Sequence, residues 1–120
     1  MEKKEITGLI IKAAYEVHKN LKSGFQEVVY QRSLALEMDS LGLEFKREEK
    51  IPVYYKGKKI DARRVDFVVE DVIVEIKAKR EFEEKDFVQT LAYLKASGYK
   101  IALLINFGSK QVEVKRFVEG

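Results

Sequence analysis

The stretch from Val65 to Lys77 constrains this chain most, because two apolar, β-branched runs, Val65 to Val69 and Val72 to Ile76, are separated only by Glu70-Asp71. Such residues crowd a helix but fit a pleated sheet, so the runs predict two strands and the acidic pair predicts their turn. A turn symmetric about Glu70-Asp71 sets Val69 opposite Val72, Val68 opposite Ile73 and Asp66 opposite Glu75. Side chains so opposed have Cβ atoms about 4.5–5.5 Å apart, and like charges there are destabilising unless neutralised. The two-residue period puts Lys77 on the face of both acids. Two hard oxygen donors and an ammonium on one face suit Mg²⁺ or Mn²⁺ and a phosphate. The alternatives are acids and a lysine that face water, or a buried ion pair of Glu75 with Lys77 or Arg64. A solvated face should be polar throughout, whereas Val68 and Ile73 share this one.

Around this hairpin the periodicity supplies the other elements. Ile6, Leu9, Ile10, Ala13, Ala14, Val17 and Leu21 recur at helical spacing between Glu5 and Leu21. After Ser23-Gly24 a second helical pattern runs through Leu34 and Met38 to a stop at Gly42. Phe45 to Tyr55 reads as extended, with Pro52 favouring a sheet edge and Lys56-Gly57-Lys58 turning the chain back. Glu83 to Ser97 predicts a third helix with Phe87, Leu91 and Leu94 on its apolar stripe, followed by Gly98. Ile101 to Phe107 and Gln111 to Val118 complete the set as strands. The expected order is ααβββαββ, an α/β (α+β) arrangement with a mixed four- to five-stranded sheet flanked by helices.

The chain has 120 residues, enough for a single domain over 1–120 with one core. No apolar stretch approaches the length of a membrane span, so a membrane partner is not expected. The first residues, Met1 to Glu5, lack an apolar leader segment, and the chain has no cysteine, which excludes disulfides and thiolate metal sites; a cytoplasmic location is expected. The net charge is only +3, but Lys56, Lys58, Lys59, Arg63 and Arg64 crowd the segment before Asp66. That is either a phosphate-facing patch or a solubilising strand surface.

Five other residues can carry chemistry. Gln89 and Tyr93 are four apart on the third helix and share a face. Glu27, at the start of the second helix, is either an acid favoured by the helix dipole or a third carboxylate for a metal, with Tyr30 three residues on. His18, the only histidine, lies near the end of the first helix, where a cation is favourable. The sequence contains no glycine-rich phosphate loop, zinc-type spacing or hydrolase triad.

Taken together, these residues resemble the PD-(D/E)XK nuclease superfamily, and within it the small proteins named for a GxxExxY motif, present here from Gly24 through Glu27 to Tyr30. The likeness extends over nearly the whole chain, through Tyr15 to His18, Pro52 to Tyr55, Val65 to Phe67, Ile73 to Lys77, Gln89 to Leu94 and Leu103 to Phe107. Val65 stands where the superfamily's name has proline. The resemblance implies a restriction-endonuclease-like core in which Asp66 and Glu75 ligate Mg²⁺ or Mn²⁺, with the Ile76 carbonyl as a further ligand. It also implies that Lys77 orients the attacking water and that Glu27 completes the acidic site. Gln89 and Tyr93 match the Q-x-x-x-Y element of RecB-like nucleases, and His18 falls where those enzymes carry a metal-ligating histidine. The basic residues and Tyr30 would contact the nucleic acid.

The implied activity is divalent-metal-dependent hydrolysis of DNA phosphodiesters, with RNA also open as a substrate. The alternatives are a catalytically inactive nucleic-acid-binding or assembly module that retains the fold, and a structural homodimer. A homodimer is equally compatible with the enzyme, because so small a chain has little surface with which to hold a duplex.

Overall fold

The computed structural model describes residues 1–119. The elements are α1 (Lys3–Leu21), α2 (Glu27–Ser40), β1 (Phe45–Tyr55), β2 (Lys58–Val69), β3 (Val72–Lys77), α3 (Glu84–Ser97), β4 (Ile101–Asn106) and β5 (Glu113–Val118). This is the order expected from the periodicity. The strands form one sheet in the order β1-β2-β3-β4-β5, antiparallel except for β3 and β4. A parallel pair needs a crossover, and α3 provides it. Pro52 accordingly lies in an edge strand.

Helices α1 and α2 pack on one face through Ile10, Ala14, Leu34 and Met38 against Phe67, Val74, Ile76 and Leu103. Helix α3 covers the other, where Leu94 and Tyr93 meet Ile51, Val65, Val68 and Ile73. Strand β4 is buried along its whole length, which is why Ile101 to Ile105 reads as an unbroken apolar run. Among the described residues no helix is long and apolar enough to cross a membrane.

The two helices after α1 bury different faces from those their apolar residues suggest. Leu36 and Val28 of α2 are exposed, while Tyr30, Gln31 and Leu34 turn inward. In α3 the buried residues are Asp86, Thr90 and Leu94, so the inward face is partly polar and the Phe87–Leu91–Leu94 stripe is only partly buried. The cause lies at the N-terminus of α3. The Asp86 carboxylate accepts from the Glu83 amide at 2.8 Å, in the spacing of a capping box, and from the Lys79 ammonium at 2.9 Å. These bonds turn the helix so that a charged residue is satisfied inside. Thr90 repeats the pattern by donating to the Asp86 carbonyl.

Candidate active site

The hairpin of β2 and β3 has the expected register, with Val69 opposite Val72, Val68 opposite Ile73 and Phe67 opposite Val74. Glu70 and Asp71 both adopt positive φ, 44° and 74°, as a two-residue type I′ loop requires. Beyond Phe67 the backbone ladder stops, and acid side chains bridge the strands in its place. The Asp66 amide donates to the Glu75 carboxylate at 2.8 Å, and the Ile76 amide donates to Asp66 Oδ2 at 2.8 Å. The two acids therefore meet in an opened ladder rather than as a regular cross-strand pair.

The expectation that Asp66, Glu75 and Lys77 share one unbroken face with Val68 is corrected here. Val65 and Val68, three apart, both pack toward α3, so the alternation of β2 is broken between them. Opposite this break Glu48 has φ 52°, and its pairing with Asp66 is missing from a register that otherwise runs unbroken from Phe45 to Val53. Asp66 is thereby turned toward α2, where its Oδ1 accepts from Gln31 Nε2 at 2.8 Å. Gln31 is fixed in turn by the Arg47 guanidinium, which donates to its Oε1 at 3.0 Å. Glu75 and Lys77 alternate with the core-facing Val74 and Ile76, which places them on the α3 side.

Charge is concentrated in this opening. Glu75 is 7% exposed, and burial, reinforced by the Asp66 charge, pushes its carboxyl up to about 8. Burial also raises Glu27 at the start of α2, where Lys77 opposes the shift and Asp66 adds to it. Burial and the charge of Glu75 raise the Tyr93 hydroxyl. Asp86 behaves in the opposite way. Burial acts to raise it, but the Glu83 amide and Lys79 ammonium outweigh burial and hold it below the usual carboxylate range. Lys77 lies 3.9 Å from Asp86, so an ammonium is kept beside the two carboxylates by a third.

The donor chemistry fits a hard divalent cation. Asp66 and Glu75 supply carboxylate oxygens, and their mutual repulsion is what such an ion would relieve. A strand directs the N–H and C=O of a residue to the same side, so the Ile76 carbonyl faces the opening beside Asp66, where its amide is bonded. Among the described residues, no three of His, Asp and Glu converge as a metal cluster. The expected set of Asp66, Glu75, Glu27 and His18 is therefore not brought together, although Glu27 feels the charges of Lys77 and Asp66.

His18 is buried elsewhere, and its Nε2 donates to the Ser109 carbonyl at 3.0 Å. That bond makes His18 a joint between α1 and the loop before β5. Tyr30 also needs correction: it is 0% exposed, stacks on Phe107 with centroids 4.8 Å apart, and is no surface contact for nucleic acid. Its hydroxyl donates to the Lys22 carbonyl and accepts from the Phe25 amide at 3.3 Å. With Gly24 at φ 121°, a backbone conformation suited to glycine, these bonds shape the turn that delivers Glu27. Gln89 is exposed on α3, while Tyr93 is half-buried near Glu75. Lys56, Lys58, Lys59, Arg63 and Arg64 are all exposed on the β1–β2 hairpin.

Three contributors were not singled out from the sequence. Gln31 lies four residues after Glu27, spacing that shares a helix face, and Asp86 lies three after Glu83, the spacing of a capping box. Asn106, the polar end of an apolar strand, is fully buried. Its Oδ1 accepts from the Lys79 and Gly108 amides, and its Nδ2 donates to the Lys79 carbonyl and to Glu113. This residue holds the segment that carries Lys77 and Lys79.

A family model described as PD-(D/E)XK nuclease superfamily matches residues 4–117. No curated protein matches the chain. Among solved structures, a crystal structure of SSO0001 is similar over 95% of this chain and 77% of the other, with 16% sequence identity and a TM-score of 0.47.

Proposed function

This chain belongs to the PD-(D/E)XK nuclease superfamily, and on that basis we propose that it is a divalent-metal-dependent nuclease that hydrolyses phosphodiester bonds in DNA. The observation that carries the proposal is the opened ladder, where Asp66 and Glu75 turn paired carboxylates into one buried opening beside Lys77. Asp66, Glu75 and the Ile76 carbonyl would hold Mg²⁺ or Mn²⁺, which when bound supplies positive charge to a phosphoryl oxygen and makes a water more acidic.

The chain's own groups divide the remaining work. Lys77 presents an ammonium that orients the attacking water and stabilises charge developing on the phosphate. Asp86 holds the lysine near the opening. Gln31, braced by Arg47, fixes the direction of the Asp66 carboxylate. Glu27 extends the acidic site from the helical layer, in keeping with the GxxExxY group within the superfamily. Tyr93 and Gln89 would approach the substrate from α3.

The test is cleavage of labelled single-stranded, duplex and branched DNA, and of RNA, with Mg²⁺, Mn²⁺ or chelator. Wild type is compared with Asp66→Asn, and light scattering reads the oligomeric state. Cleavage that requires both metal and Asp66 supports the nuclease and ranks its substrates. Folded protein that cleaves none of them would overturn it, and retained binding would then favour an inactive nucleic-acid-binding module.

A further inference from the structure

Strands β1 and β2 continue past the part of the sheet that the helices cover. From Tyr54 to Asp61 every residue is exposed. The tip is a two-residue turn at Lys56-Gly57, with φ 48° and 80°. Its register shifts by one residue between Val53 and Tyr54, a bulge that adds twist, and Ile60 is left 65% exposed. Residues 50–64 contain six Lys or Arg and a single acid, Asp61, which is already paired with Arg63 at 2.9 Å.

The register assigns these groups to two faces. Ile51 and Val65 pack toward α3, so Lys50 and Arg64 point the opposite way, on the side to which Asp66 is turned. Lys50 and Arg64 oppose each other directly, an arrangement that is unfavourable unless an anion lies between them. At the tip Tyr54 pairs with Lys59 on one face and Tyr55 pairs with Lys58 on the other. Lys56 additionally lies over the Tyr55 ring at 5.5 Å. Both faces therefore end in an exposed tyrosine and a cation.

We propose that this ribbon enters a groove of duplex nucleic acid and that the preferred substrate is double-stranded. The inference rests on the nuclease reading of the Asp66 site and names its substrate class. A major groove is about 12 Å wide, admits a two-stranded β-ribbon, and is walled by phosphates on both sides. A ribbon cationic on both faces meets both walls, whereas a single strand lying on one face leaves the other unused. A second copy of the chain is a poor occupant, because it would set one cationic tip against another. Lys58 is eight residues from Asp66 on β2, a reach of about 27 Å at roughly 3.4 Å per residue. That equals the rise of about eight base pairs, so the ribbon needs about that much duplex on one side of the cut.

Binding is measured on full-length Lys77→Ala protein in chelator, with a labelled 30-base-pair duplex and the matching single strand. A ribbon variant, Lys56→Ala with Lys58→Ala and Lys59→Ala, is compared at several salt concentrations. The expected result is duplex binding at least about tenfold tighter than single-strand binding. In the ribbon variant duplex affinity falls about tenfold or more, the slope of log affinity against log salt shrinks by about 2–3, and the melting temperature is unchanged. Equal or tighter binding of the single strand, unchanged duplex binding by the variant, or ribbon-dependent dimers without nucleic acid would each overturn the proposal. Cleavage is not part of this readout, so the two readings fail separately. Metal-dependent cleavage indifferent to the ribbon would keep the nuclease and remove the ribbon, while ribbon-dependent duplex binding without any cleavage would do the reverse.

Discussion

Replacing Glu75 with glutamine should change how stability responds to pH. The Glu75 carboxyl rises from 4.5 to about 8 on folding, because it is buried and because Asp66 lies beside it. In the metal-free protein the unfolded chain releases this proton near 4.5, whereas the folded chain keeps it until about 8. The folded state thus binds more protons throughout that window. Its contribution to stability is complete below 4.5 and is lost as pH rises through 8. At 1.36 kcal/mol per pH unit the full loss is on the order of 5 kcal/mol. Glutamine keeps an oxygen to accept the Asp66 amide but does not titrate. Urea unfolding in chelator at about pH 5, 7 and 9 should therefore show Glu75→Gln gaining on wild type by several kcal/mol as pH rises. Saturating Mg²⁺ should stabilise wild type at the higher pH and leave the variant unaffected. If the gap between the two proteins stays constant within about 0.5 kcal/mol across this range, the carboxylate pair is not strained as described.

Lys77→Ala should reduce metal-dependent turnover by about 10²–10³-fold with the circular dichroism spectrum unchanged, as expected for loss of one positioned charge. Tyr30→Phe removes a hydroxyl that is bonded to both Lys22 and Phe25; a loss of about 1–3 kcal/mol on chemical denaturation is expected. Gly108→Ala would place a Cβ 2.3 Å from the Lys79 amide nitrogen, so a melting scan should show destabilisation of at least about 1–3 kcal/mol. Asp71→Gly relieves a positive φ of 74° in the β2–β3 turn, and the same scan should show a gain of about 0.5–1 kcal/mol.

The β2–β3 register was legible because a two-residue turn leaves little freedom in pairing, and Glu70-Asp71 is the only polar break between the runs. The direction of Asp66 was not legible. It depends on Glu48, eighteen residues earlier, adopting a left-handed conformation that nothing local demands. The inward face of α3 was hidden for a related reason. Asp86 and Thr90 look like surface residues until Lys79 and the Glu83 amide arrive to satisfy the acid. Apolar periodicity finds burial driven by water exclusion and passes over burial made possible by hydrogen bonds from distant elements. Tyr30 misled in the opposite sense, since a tyrosine in a conspicuous motif suggests contact with a ligand when its hydroxyl is occupied in holding a turn.

Between β2 and β3 the acids do the structural work that main-chain carbonyls do elsewhere in the sheet, so ligand chemistry and strand cohesion draw on the same oxygens. A cation that claims them weakens the hold on two amides, those of Asp66 and Ile76. Those amides are therefore internal reporters, and their nuclear magnetic resonance shifts and hydrogen-exchange rates should follow occupancy without any label. The same sharing governs how the site can be dissected: alanine at either acid would unfasten the sheet along with the chemistry, whereas Asp66→Asn and Glu75→Gln retain an oxygen for the amide and separate the two.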